Sequence, residues 1–245
     1  MRFTPLAIFC FIFMTACSSS IAPQSPSTEN LMSEGENFFA AKRYDEAIAS
    51  WEKVRERYVS PEINALAELK IAEAHFLAER YIEAAVAYEA YLKAHPGDLN
   101  NANVLYNLGV SYHQEMLTPE RDQTTTRNAL SAFQTFLSRY PTDPRYPAVE
   151  KFIAEEMDSL ASHELHIGTY YQKKGASTAA INRLVPLLTA YPNFSRRDEL
   201  YFILGSAYLQ NDKRELAAEL FNRLYKEYPQ SKYTQKAQKL LDQEF

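Results

Sequence analysis

His163-Glu164-Leu165-His166 is the stretch whose residue types come nearest to a catalytic motif. Zinc-peptidase helices set two histidines four apart, with a glutamate beside the first as general base. Here the histidines are three apart and no third ligand stands nearby in sequence, so no metal is assigned. The six glycines leave no phosphate-cradling loop. Gly35, Gly109, Gly168 and Gly205 recur inside a repeated unit, while Gly97 and Gly175 fall in turns. Asp, Glu and Ser are scattered without converging on a pair that would do acid–base or nucleophilic work. No catalytic residue and no cofactor is therefore expected. Charge excludes another class: 26 Lys plus Arg against 31 Asp plus Glu give a net −5, the wrong sign for neutralising phosphates, so no nucleic-acid partner is expected.

Thiol chemistry is confined to the N-terminus. Arg2 supplies a positive start, Leu6 to Met14 an apolar stretch, and Thr15-Ala16 small residues before Cys17, the layout of a secretory leader. The apolar stretch is too short to span a bilayer. Phe13-Met14-Thr15-Ala16-Cys17 resembles a bacterial lipobox, in which the cysteine is diacylated and becomes the first mature residue. Cys10, preceded by Phe9, fits less well. Residues 1–16 then form the signal peptide and Cys17 carries lipid, leaving no mature thiol for a disulfide, a metal or a nucleophile. Losing Arg2 takes the net charge from −5 to −6. Ser18, rather than Asp, after the cysteine favours the outer membrane over inner-membrane retention. Residues 17–30, polar and Pro-rich, read as a flexible tether with a span of roughly 20 Å.

The elements behind these residues follow a repeat. Ala47, Ala84, Ala129, Ala180 and Ala217 are each followed four residues later by Trp51, Tyr88, Phe133, Leu184 and Phe221. Pro96, Pro141, Pro192 and Pro229 come twelve residues after the last four alanines, and Pro61 arrives two residues late in the first repeat. Upstream stand Gly35, Gly109, Gly168 and Gly205, each three residues before Phe38, Tyr112, Tyr171 and Tyr208, with Ala72 and His75 substituting in repeat two. This is the tetratricopeptide pattern of two antiparallel helices. The small residue admits close approach, aromatics fill the gaps around it, and proline ends the second helix. One such pair cannot bury its apolar face alone, so pairs must stack. The expectation is an all-α superhelix of five helix pairs with one long connecting helix. Residues 31–141 hold repeats one to three, and 142–245 hold the long helix with repeats four and five.

Two irregularities interrupt the array. Gln114 to Asn128 exceeds the repeat by eight residues and should protrude as a loop. Val149, Phe152, Ile153, Met157, Leu160 and Leu165 keep helical spacing, which predicts one helix over Pro147–Lys174, roughly 40 Å long.

These irregular stretches carry a more specific likeness. Glu120-Arg121-Asp122-Gln123-Thr124-x-Thr126-Arg127, Arg139-Tyr140-Pro141, Leu160-Ala161-x-His163-Glu164-Leu165, Lys174-Gly175-Ala176 and Asn182-Arg183 resemble the BamD (ComL) family, lipoproteins of the outer-membrane β-barrel assembly machinery. The likeness is strongest from about Leu105 to Phe194. It implies a periplasm-facing, lipid-anchored adaptor that docks on the periplasmic domains of BamA beside other assembly-complex lipoproteins. It also implies a part in receiving unfolded outer-membrane protein segments. Arg183 matches the motif arginine and is the leading candidate for a charged contact with BamA. Asn182, Arg121, Asp122, His163 and Glu164 accompany it as partner-binding candidates. Arg57-Tyr58-Val59-Ser60-Pro61 departs from the aromatic-Gly-Pro segment often seen after repeat one, which weakens the substrate expectation more than the BamA one. Another repeat lipoprotein of the envelope, such as a secretin pilotin or a cell-wall synthesis coordinator, is the competing function.

Counting from the repeat glycines places Met32, Phe39, Leu69, Phe76 and Leu77 towards the concave face of the front repeats. An apolar groove there would suit an extended, aromatic-ending peptide. The same side chains would serve equally as packing between helices. Glu52 to Arg57 and Lys173-Lys174 read as solvated helix surface.

Overall fold

The computed structural model describes residues 26–244, so the leader, Cys17 and most of the tether lie outside it. Twelve helices and no strand occur among the described residues. Repeat one is α1 (Thr28–Ala40) with α2 (Tyr44–Arg57), repeat two α3 (Pro61–Leu77) with α4 (Tyr81–Ala94), and repeat three α5 (Asn101–Gln114) with α6 (Thr124–Arg139). The long α7 (Tyr146–Lys173) leads into α8 (Ser177–Leu184) and the single turn α9 (Leu187–Ala190). Repeat five is α10 (Arg197–Gln210) with α11 (Arg214–Glu227), and α12 (Lys232–Glu244) closes the chain.

Local chemistry sets these boundaries. Ser27 and Ser60 accept the N–H groups of Asn30 and Ile63 through Oγ, both at 3.2 Å, satisfying donors that the first helical turn leaves open. Because Ser27 caps α1, the last three residues assigned to the tether are helical instead. The repeat prolines act through their predecessors: His95, Tyr140, Tyr191 and Tyr228 all leave the helical region, with ψ between 56° and 70°. A residue before proline is pushed out of the α region in this way.

Successive helices pack on one another from α1 to α8, α10 packs on α8 beyond the single turn α9, and apolar clusters run along the seams of the stack. The expected small-residue contact is present, with one refinement. A Cβ on Gly35, Gly109, Gly168 or Gly205 would collide with Trp51, Phe133, Leu184 or Phe221 respectively. The glycine therefore makes room for the large residue four positions after the alanine, not for the alanine itself. All four large residues are no more than 1% exposed.

The long helix ends within one residue of expectation at each terminus. Its first half belongs to the front: Val149 is buried with repeat three, and Phe152 stacks on Phe133 with centroids 4.9 Å apart and planes 3° from parallel. The carboxylate of Glu156, fully buried, bonds His113 Nδ1 of α5 at 2.7 Å. Its second half, through Ala161, Leu165 and Gly168, is helix A of repeat four. Two elements escaped the repeat pattern. Pro186 has no N–H to donate to the carbonyl four residues back, and helix B of repeat four breaks there into α8 and α9. In α12, Tyr233 and Ala237 cover the core of repeat five, as the terminal unit of a solenoid must.

The turns inside repeats one, two, four and five all place one residue in the left-handed region: Lys42 (φ 59°), Glu79 (φ 58°), Gly175 (φ 74°) and Asp212 (φ 55°). Only repeat four uses the residue that adopts it freely. For an L side chain the cost is roughly 1 kcal/mol, partly offset in a glycine variant by a looser unfolded chain. Glu79→Gly should therefore stabilise the protein by about 0.5 kcal/mol in urea unfolding, and a destabilised variant would contradict this account of the turn.

Candidate functional site

Three of the six candidate partner residues, Glu164, Asn182 and Arg183, meet at the seam between α7 and α8. Leu165 and Leu184 are fully buried and point into the core of repeat four. Their predecessors Glu164 and Arg183 consequently emerge side by side at its edge. Arg183 Nη1 donates to Glu164 Oε2 at 3.0 Å, with side-chain exposures of 49% and 28%. Asn182 is exposed beside them. Together with Tyr171, Ala179 and the broken segment Pro186 to Tyr191 they line an open cleft of about 610 Å³. Tyr191 is half-buried at its end, and burial, then the charge of Glu164, push its phenol up.

This geometry suits recognition. An ion pair half open to water contributes only about 0–1 kcal/mol to folding, so the pair can be exchanged at little cost to the fold. The bond to Glu164 uses one of the five N–H donors on the guanidinium. A second carboxylate arriving in the cleft could take a bidentate grip on the others.

The remaining candidates fold the chain locally. His163 Nδ1–H donates to the carbonyl of Pro119 at 2.6 Å, turning that ring towards the 115–123 loop. Glu164 is held by Arg183, so the side chains of the His163-Glu164-Leu165-His166 stretch serve different partners. Asp122 accepts the Thr124 N–H at 2.8 Å where α6 begins, and hydrogen bonds from the Thr124 side chain and backbone hold its carboxyl below the usual range. Arg121 is exposed in the same loop.

That loop does not protrude freely, as the eight-residue excess suggested. Helix α6 starts at Thr124 and absorbs the end of the expected excursion. Gln123, 1% exposed, holds the rest. Its Nε2 donates to the carbonyls of Thr118, Arg121 and Asp122 at 3.0–3.3 Å. Its Oε1 accepts from Thr126 at 3.1 Å and from Ser159 of α7 at 3.2 Å. Sequence reasoning quoted this glutamine without assigning it a role, since its partners are set by tertiary contact. Gln123→Leu would orphan several buried groups at about 1–3 kcal/mol each. We expect a loss of about 3 kcal/mol in urea unfolding and faster hydrogen exchange in 115–123; wild-type exchange in that loop would refute the pinning.

The front groove residues are mostly turned into seams. Leu69 is buried, Met32 packs against the core of repeat one, and Phe39 lies 5.7 and 5.6 Å from the rings of Tyr44 and Trp51. Phe76 meets Tyr81 edge-on at 5.7 Å and Tyr88 at 6.4 Å. Leu77 alone of the five is exposed. The expected apolar groove is thus largely inter-helix packing, because each aromatic finds a ring partner in its own repeat.

The YfiO family, described as an outer membrane lipoprotein, matches this chain over residues 24–220. The chain belongs to that family. Curated relatives agree with it. The outer membrane protein assembly factor BamD of Pasteurella multocida is 27% identical over 89% of this chain and 87% of its own length. The protein of the same name from Neisseria gonorrhoeae is 26% identical over 89% and 86%, and that from Rickettsia prowazekii 27% over 86% and 84%. The matched span runs from before α1 to the middle of α11 and includes the α7–α8 cleft.

Proposed function

We propose that this protein is a non-enzymatic adaptor in outer-membrane β-barrel assembly, lipid-anchored through Cys17 on the periplasmic face. It docks on the periplasmic domains of BamA and helps receive unfolded outer-membrane proteins. The observation that carries the docking step is the cleft at repeat four, where exposed Arg183 and Asn182 stand beside the half-buried Glu164. The assembly role draws on the name borne by the relatives and on membership of an outer-membrane lipoprotein family. The anchor draws on the lipobox-like leader, and no helix among the described residues is long and apolar enough to cross a membrane.

Affinity purification of the full chain from detergent-solubilised envelopes, read by mass spectrometry, tests the reading. Recovery of BamA with other assembly lipoproteins is the expected result. Recovery of a secretin or of cell-wall synthases, without BamA, would replace it with the competing function.

A further inference from the structure

Leu99 and Tyr58 are the two most exposed large apolar side chains among the described residues, at 98% and 68%, and Val59 beside Tyr58 is 56% exposed. One such side chain would need no explanation. These three, however, share a position in the architecture. Tyr58 and Val59 form the turn from α2 to α3, and Leu99 lies in the turn from α4 to α5. In a stack of successive antiparallel helices, both turns fall on the edge where α1 begins. The chain enters at that same edge: the Arg57 guanidinium donates to the carbonyl of Pro26, fixing the tether beside Tyr58. Cys17 is nine residues before Pro26, a reach of at most roughly 30 Å.

We infer that this edge of the first two repeats rests on the lipid headgroup surface, with Tyr58, Val59 and Leu99 entering the interface. The inference rests on the proposed anchoring at Cys17. A single lipid anchor at Cys17 limits distance and does not by itself set orientation, so a second contact is what would fix the solenoid relative to the bilayer. The residue types fit: a tyrosine ring places its apolar body among acyl chains and its hydroxyl among headgroups. Arg55 and Arg57 are exposed beside it and can meet phosphates. Asp98, the acid next to Leu99, accepts the Asn100 N–H at 2.7 Å. Tyr58 sits at φ 46°, in the left-handed region.

The acylated mature chain would have no free thiol, so Leu99→Cys introduces a single site for an environment-sensitive fluorophore. Val86→Cys on α4, at 61% exposure, is the control. Each labelled protein is reconstituted on vesicles of phosphatidylethanolamine and phosphatidylglycerol after intact mass has verified the acyl groups. The label at 99 should shift to the blue and be quenched several-fold by headgroup-nitroxide lipid, while the label at 86 should do neither. Adding Tyr58→Asp and Val59→Asp should remove most of the shift, since the left-handed region tolerates Asp. Acylated, vesicle-bound protein whose two labels behave alike would overturn the inference and leave the anchoring intact. So would a shift at 99 that needs envelope proteins rather than lipid. Unmodified Cys17 in the mass spectrum would bring down both readings before any fluorescence was recorded.

Discussion

Gly109→Leu should lower the thermal midpoint by about 6–12 °C. A Cβ at Gly109 would lie 2.6 Å from Cδ1 of Phe133, and the ring cannot retreat. Phe133 is fully buried, and its face is stacked on Phe152 of the long helix. Phe152 in turn lies 4.7 Å from the ring of His113. Overpacking of this kind costs about 1–3 kcal/mol and sometimes more. With the aromatic neighbours closed on both sides, a net loss of about 3 kcal/mol is expected even after the helix gains from losing a glycine. At about 2–4 °C per kcal/mol for a chain of this size, calorimetry should resolve the change readily. Because a solenoid unfolds through neighbour interfaces, hydrogen exchange should rise most in α5, α6 and the first half of α7. Gly97→Ala is the control, since a Cβ there meets nothing within 4 Å. If Gly109→Leu melts with the wild type, the glycine–aromatic contact is not what spaces the helices.

That contact is also why so much of the fold was legible. Helix pairs stacked this closely demand a small residue and a large one at fixed separation: Gly35 and Trp51, Gly168 and Leu184, Gly205 and Phe221 are each sixteen apart. Gly109 and Phe133 are twenty-four apart, the same interval plus the eight-residue insertion. The long helix was equally plain, because its apolar spacing has no competing interruption. What sequence could not supply was tertiary choice. The break at Pro186 sits inside a segment with good helical periodicity, and α12 lacks the glycine and the closing proline of the repeat. Gln123 gathers partners as distant as Ser159, and nothing in its neighbourhood announces that. At the site, the motif placed Arg183 and Glu164 among the candidates, yet their pairing across nineteen residues depends on how α8 docks on α7. For the front aromatics the register count left a concave groove and inter-helix packing both open, and the contacts of Phe39 with Tyr44 and of Phe76 with Tyr81 are of the packing kind.

Arg183→Glu should have the largest effect on binding and little on folding. The substitution removes the ion pair and sets two carboxylates facing each other across the α7–α8 seam. Glu164 is 28% exposed and the replaced side chain was 49% exposed, so water screens most of that repulsion and stability should fall by no more than about 1 kcal/mol. A partner carboxylate desolvated in the cleft feels the reversal in full. Reversing a charge in such a contact costs on the order of 2–5 kcal/mol, which is about thirty-fold to several thousand-fold in Kd. Glu164→Gln separates the two roles of the arginine. It breaks the internal pair and leaves the guanidinium in place, so partner binding should hold or tighten as the competing carboxylate disappears.

Titration calorimetry of the wild type, Arg183→Glu and Glu164→Gln against the purified periplasmic domains of BamA, at physiological salt, tests the docking account most directly. The account predicts that Arg183→Glu loses at least thirty-fold in affinity with its thermal midpoint nearly unchanged, that Glu164→Gln binds as well as the wild type or better, and that a charge-reversing substitution on BamA partly restores Arg183→Glu. Equal affinity for the wild type and Arg183→Glu would contradict it, returning the arginine to ordinary solvated surface and the cleft to a by-product of Pro186.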